Sequence, residues 1–147
     1  MEEENQFCTF YLDNHFFGVE VKKVQEVFRY QEMTEVPLSP KVVSGLINLR
    51  GQIITAIDLR RRLEMPDYPE GKLPMNVVVR TEEGVVSLLV DEIADVLEAP
   101  RESFEQTPDT IRGAVRELVT GVYKLEGKLL LVLDIQKTVN LSAESVA

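Results

Sequence analysis

Cysteine and histidine occur once each in these 147 residues, and no apolar run approaches a bilayer span. Spanning a membrane as a helix takes about 18 apolar residues. One thiol closes no internal disulfide, and without a Cys/His cluster there is no zinc site. Cys8 lies within the apolar run FCTFYL and reads as a small buried hydrophobe, an inert thiol. His15 abuts Asp13-Asn14, where it reads as a surface turn residue and not as a general base or metal ligand. The N-terminus, MEEENQF, is acidic where a secretory signal is basic and then apolar, so the expectation is a soluble cytoplasmic protein. Catalytic signatures are missing too: no G-x-S-x-G, no H-E-x-x-H and no C-x-x-C. No metal or cofactor is expected. Positive charge is in short supply. The formal net charge is −9, spread evenly over both halves, which disfavours a phosphate-backbone binder but leaves protein partners open.

What is present is a repeat. GLINLRGQIITAIDLRRRL (Gly45 to Leu63) and GVYKLEGKLLLVLDI (Gly121 to Ile135) share a frame. Gly45 matches Gly121, Leu49 matches Leu125, Gly51 matches Gly127 and Asp58 matches Asp134, all 76 residues apart. At the tip the charge inverts, Arg50 against Glu126. Upstream, HFFGVEVKKVQEVF (15–28) lines up with GVVSLLVDEIADVL (84–97) at an offset of 69. There Val21 matches Val90, Val24 matches Ile93, Glu26 matches Asp95 and Val27 matches Val96. The second copy thus carries seven extra residues, placed in the proline-bearing polar stretch Ala99 to Gly113, which reads as a loop. MPDYPEGKLP (65–74), with three prolines and a glycine, is the natural boundary, giving units of 1–70 and 71–147.

The period gives a mainly β fold. FCTFYLD and HFFGVEV flank the hairpin signal Asp13-Asn14. MNVVVRT, GVVSLLV, ELVTGVYKL and GKLLLVLDI are further strands. VKKVQEVF sets Val21, Val24, Val27 and Phe28 on one helical face, so a short helix or turn is expected after the second strand. Gly51 and Gly127 suit tight hairpins because glycine adopts positive φ cheaply. Many short strands in two copies predict two small β-barrels. Strands apolar on both faces, such as LLLVLDI, predict that the barrels' outer surfaces are covered as well.

Several polar groups have plain readings. GVYKLEGK has five residues between its glycines where a phosphate loop has four, and Leu129 stands where that loop has Ser/Thr. Asp58 and Asp134 each end a strand before a helix-like segment and read as N-caps, not as a carboxylate pair. Arg60, Arg61 and Arg62 read as a solvated helix face, with an acidic docking partner as the alternative. Pro37-Leu38-Ser39-Pro40 and Pro66-Asp67-Tyr68-Pro69 match P-x-x-P but fall in loops. Arg50 is either a solvated tip or a fork of donors displayed on a rigid hairpin toward a carboxylate or carbonyls.

GLINLRGQIITAIDLR resembles the signature of the CheW family, the chemotaxis coupling proteins. KVQEVF, LLVDEIADVL and GVYKLEGKLLLVLDI look like its successive motifs in order, so the resemblance runs from about Phe7 to about Leu141. One departure is Ala56, where the family usually has proline; a proline there would stiffen what is expected to be an edge strand. The resemblance implies two five-stranded SH3-like barrels with a hydrophobic groove between them and no catalysis. It also implies an adaptor that binds the cytoplasmic tip of methyl-accepting chemoreceptors and the regulatory domain of the histidine kinase CheA, associating with membrane-bound receptor arrays only through protein partners. Matched through KVQE and GLINLRG, the receptor-side residues are Val24, Glu26, Gly45, Asn48, Arg50 and Gly51, with Val86 and Val90 added on the facing strand of the second copy. Kinase contacts are expected on exposed apolar strand positions of the first barrel and the far end of the second, with no residue singled out. A paralogue serving twitching motility or another receptor pathway, a nucleic-acid-binding small barrel, and an enzyme using Asp58, Asp134 or His15 remain as other readings.

Overall fold

A computed structural model describes residues 5–141. The first copy supplies β1 (Gln6–Leu12), β2 (His15–Glu20), β3 (Val24–Phe28), β4 (Val43–Leu49), β5 (Gln52–Asp58) and helix α1 (Leu59–Arg62). The second supplies β6 (Met75–Thr81), β7 (Gly84–Val90), β8 (Glu92–Glu98), β9 (Phe104–Glu105), α2 (Gly113–Leu118), β10 (Val119–Leu125), β11 (Lys128–Leu133) and α3 (Ile135–Val139). The stretch Ala99 to Gly113, expected to be loop, holds a 3₁₀ turn at Arg101–Ser103, the two-residue strand β9 and the start of α2, so it is not loop throughout.

The sheets do not follow a division at residue 70. One has the order β3-β6-β7-β5-β4, the other β8-β1-β2-β11-β10-β9. Each copy therefore places its leading hairpin in the sheet completed by the other copy's remaining strands. We call the β3–β7 sheet the first barrel and the other the second. The joints are parallel pairs between copies: β5 with β7 over Thr55↔Val86 to Asp58↔Leu89, and β11 with β2 over Leu131↔Phe17 and Val132↔Gly18. The strand carrying Ala56 is thus internal, bonded to β4 on one side and β7 on the other, which corrects the expectation of an edge strand.

The helix expected over VKKVQEVF is one 3₁₀ turn, Val21–Lys23, followed by a strand. A bulge explains the misreading. Val24 lies opposite Val79 and Val27 opposite Val77, with the register slipping between Val24 and Glu26. The extra residue puts side chains three apart on one face of a strand, which mimics helical spacing. The second copy does the same: Ile93 pairs Phe10 and Val96 pairs Cys8 across a slip in register.

The largest core lies between the barrels. Phe10, Phe17 and Val19 meet Val77, Val79 and Leu88 there, together with Ile57, Leu131 and Leu133. Leu130 and Val132 face the other way, into a cluster with Phe7, Phe16 and Tyr123 inside the second barrel. The first barrel is filled by Ile47, Ala56 and Leu89 at one end and Leu49, Ile54 and Val78 at the other. β11 is apolar on both faces because both are covered, as its sequence predicts. Asp58 and Asp134 do cap α1 and α3, accepting from the backbone N–H of Arg61 and Lys137 at 3.1 Å each.

Candidate functional site: the Arg50 hairpin tip and its apolar flank

The β4–β5 turn is a two-residue loop with Arg50 at φ 52° and Gly51 at φ 88°. Two successive left-handed residues make the type I′ turn whose twist matches a hairpin. For arginine that conformation costs about 1 kcal/mol, so the surrounding structure must impose it. Two contacts do. The Gly51 N–H donates to Asn48 Oδ1 at 2.9 Å, and the Arg50 guanidinium pairs with the Glu26 carboxylate. Arg50 keeps 70% of its side chain in solvent while Glu26 keeps 26%, so the pair is displayed rather than buried.

That ion pair also reports barrel closure. β3 and β4 are the two ends of the strand order. In a flat five-stranded sheet those ends would lie roughly 19 Å apart. Glu26 on β3 reaches the β4–β5 tip because the sheet curls.

Val24, Val79, Val86, Thr55 and Leu46 form one continuous cross-strand row through the registers of all five strands. Val24 and Val86 are half-buried, packed against the inter-barrel core at its mouth. The space between the barrels is filled by that core, with Val24 and Val86 among the half-buried residues that flank it.

The predicted residues therefore divide. Glu26, Asn48, Arg50 and Gly51 come together at the tip, while Val24 and Val86 lie on the cross-strand row of Thr55 and Leu46, set back along the strands from it. Asn48 holds the turn through its side chain. Gly45 is buried, and a Cβ there would sit 2.7 Å from the Thr34 carbonyl oxygen, so it serves close backbone approach. Val90 is 1% exposed within the inter-barrel core, and this corrects its place in a contact set. Its apolar character reads the same on a core strand as on a rim. Two apolar residues outside the expected contact set, Ile53 and Val27, are exposed at 60% and 41%. Ile53 lies opposite Asn48, beside the tip. Alternation puts Ile53 on the same face of β5 as Ile57, which the inter-barrel core buries, so the strand pattern alone does not mark Ile53 as exposed.

A second polar cluster sits where β7 crosses into β8. Arg60 donates Nε to Asp91 Oδ1 at 2.8 Å and NH2 to Oδ2 at 2.6 Å, and NH1 to the Pro66 carbonyl at 2.8 Å. Asp91 Oδ2 also accepts the Asp13 N–H at 2.8 Å. The Asp91 hydrogen bond raises the Arg60 pKa above its ordinary value despite burial. Arg62 is buried as well, donating to the Thr138 and Lys137 carbonyls at 2.7 and 2.8 Å, where it caps α3. Only Arg61 of the three is solvated, pairing with Asp67. The solvated basic face is thus corrected: its two outer members are buried, Arg60 donating to Asp91 and Arg62 to the Lys137, Thr138 and Asn140 carbonyls of the other copy. Cys8 is half-buried, not sealed, and burial raises its thiol pKa, which keeps it in the unreactive form. His15 is exposed, with Nδ1 3.0 Å from the Asp13 carbonyl oxygen.

Against this geometry the comparisons are decisive. The CheW-like domain matches residues 6–143. The chain belongs to the CheW-like domain family. The chemotaxis protein CheW of Klebsiella aerogenes is 31% identical over 142 residues, covering 97% of this chain and 84% of that protein. The chemotaxis protein CheW of Treponema pallidum is 29% identical, covering 92% and 82%. The crystal structure of the scaffolding protein TtCheW from Thermoanaerobacter tengcongensis superposes with a TM-score of 0.79 at 26% identity, covering 88% of each chain. The two curled sheets of this CheW-like chain are accordingly SH3-like barrels. No helix among the described residues is long and apolar enough to cross a membrane.

Proposed function

We propose that this chain is a non-enzymatic adaptor that couples methyl-accepting chemoreceptors to the histidine kinase CheA. The observation that carries this is the Arg50 tip: a charged group held by the Asn48 turn contact and the Glu26 carboxylate yet left in solvent. Fixing a side chain that stabilises little on its own makes physical sense when it meets a partner. Glu26, Asn48, Arg50 and Gly51, with Val24 and Val86 set back from them, form the receptor side, the tip offering a guanidinium and the valines offering apolar contact. Ile53 and Val27, exposed and apolar on strands of the first barrel, are the kinase-side residues. The similarity to chemotaxis proteins CheW supports a chemotaxis role, and that to the scaffolding protein TtCheW supports scaffolding.

The test is a titration of the protein with a receptor-tip helical hairpin and, separately, with a CheA regulatory domain. Each is repeated with Arg50→Glu and with Ile53→Asp. Both wild-type titrations are expected to show binding. Arg50→Glu should weaken the receptor side by roughly tenfold or more, a change of about 1.4 kcal/mol, and spare the kinase side, with Ile53→Asp doing the reverse. Failure of both wild-type titrations at tens of micromolar removes the coupling role.

A further inference from the structure

Neither copy of the repeat contains a complete barrel. The β1–β2 hairpin is bonded to β8 and β11, and the β6–β7 hairpin to β3 and β5, so every joint crosses from one copy to the other. Two crossovers carry this exchange. From β2 to β3 the chain passes through the 3₁₀ turn Val21–Lys23, none of whose residues is buried. From β7 to β8 it passes through Asp91 alone.

The crossovers are secured very differently. Asp91 ties four elements: its N–H donates to the Tyr11 carbonyl at 3.1 Å, its carboxylate holds Arg60 by two bonds, and it accepts the Asp13 N–H. Tyr68 closes the cluster, with its ring 5.1 Å from the Arg60 guanidinium carbon and its hydroxyl on the Asp91 carbonyl. At the equivalent place in the other copy, Gln136 accepts the Glu82 N–H at 2.9 Å and Arg80 donates to the Lys22 carbonyl at 3.1 Å, both exposed. The first is a buried, charged bolt; the second is a solvated amide contact.

We propose that the two barrels are one thermodynamic unit, interlocked by the exchanged hairpins and bolted at Arg60–Asp91, with no state in which one barrel is folded and the other open. Opening the second barrel withdraws β1–β2 from β8 and β11, removes Phe10, Phe17 and Val19 from the shared core, and so uncovers Val77, Val79 and Leu88 of the first. A barrel with its own hairpin and core could open alone; these cannot. The consequence is linkage: whatever binds one barrel stabilises the other by the same factor, with no change of shape.

Site-resolved hydrogen exchange of the whole chain at rising low denaturant tests this. The slowest amides of β2 and β11 and those of β6 and β7 should converge on one opening equilibrium, agreeing within about threefold. Asp91→Asn should raise opening in both barrels by a common factor, because the bolt belongs to both. Convergence of the first barrel on one equilibrium and the second on another, tenfold or more apart, overturns the interlock. So does an Asp91→Asn effect confined to the second barrel. If Asp91→Asn does not fold, the wild-type exchange pattern decides the matter.

Discussion

The two hairpin tips occupy equivalent places in equivalent barrels, yet they are built to different ends. At the first, Arg50 and Gly51 both take left-handed backbone and Arg50 pairs with Glu26 across the barrel opening. At the second, only Gly127 has positive φ, and the residues matching that pair are Glu126 and Asp95, both acidic and both exposed. Two carboxylates cannot form the ion pair that joins Arg50 to Glu26. The glycines that begin the two hairpins differ as well. Gly45 is approached by the Thr34 carbonyl and Met33, whereas Gly121 is covered by the ring of Phe104, whose ζ carbon would lie 2.4 Å from an added Cβ. Duplication preserved the frame, and the side chains that decorate it diverged wherever the frame left them in solvent.

The crossovers offer the largest contrast to break. Asp91→Ala strands a buried guanidinium and should cost about 3–5 kcal/mol in denaturant unfolding. Lys22→Ala, at the equivalent position of the first copy, should stay within about 0.5 kcal/mol. Comparable losses would mean that the two crossovers are not differently secured.

The paired glycines come next. Gly45→Ala drives a Cβ onto a carbonyl oxygen that the chain cannot easily withdraw, and should destabilise by about 1–3 kcal/mol. Gly121→Ala meets chiefly the far end of the Phe104 side chain, which is partly exposed and free to swing away. Its loss should be the smaller of the two in thermal melts, although the Glu105 carbonyl at 3.1 Å keeps it above zero.

The caps should be nearly alike. Asp58→Ala and Asp134→Ala each remove one acceptor from a helix N-terminus and should cost about 1 kcal/mol. Asp58 carries a pH response as well. Burial raises the Asp58 pKa above its ordinary 3.8, with the Arg61 N–H opposing. A carboxyl that holds its proton longer in the folded state loses stability as pH rises through the interval above 3.8. Asp58→Asn keeps an acceptor for the cap and removes that ionisation, so its deficit relative to the parent should shrink as pH rises across this interval, measured by unfolding between acid and neutral pH.

The smallest effect concerns the tip pair itself. A double-mutant cycle of Arg50→Ala and Glu26→Ala should return a coupling of about 0–1 kcal/mol, as expected for a pair with one partner mostly in solvent. The same cycle read as partner affinity should exceed that value. If stability alone accounts for the coupling, the pair is a barrel clasp and its display at the tip is incidental.

Much of this could be read directly from the chain. Alternation and turn residues give β1, β2, β6, β7, β10 and β11, and the Asp13-Asn14 and Arg50-Gly51 turns fall as expected because positive φ limits which residues can occupy them. The aspartates before α1 and α3 cap as expected for the same local reason. At the site, Glu26, Asn48, Arg50 and Gly51 were recognisable from their motifs. Val90 was not separable from Val86, since both are valines on one strand and only packing decides which is sealed. Arg60 and Arg62 looked solvated because their partners, Asp91 and the end of α3, lie 31 and 75–78 residues away. The bulge in β3 imitated a helix because an inserted residue and a helical turn both bring positions three apart to one face.

The sequence by itself determined that there are two copies, where their hairpins turn, which segments cap, and that a lone arginine stands at one tip. These are properties of a few consecutive residues, governed by φ, by hydrogen bonds to near neighbours and by the alternation of side chains along a strand. Only the tertiary structure decided which copy completes which barrel. A hairpin offers the same edges and the same apolar faces to its own strands and to those of its sister copy. The choice between them rests on a core shared by both and on a crossover bolt assembled from residues far apart in the chain.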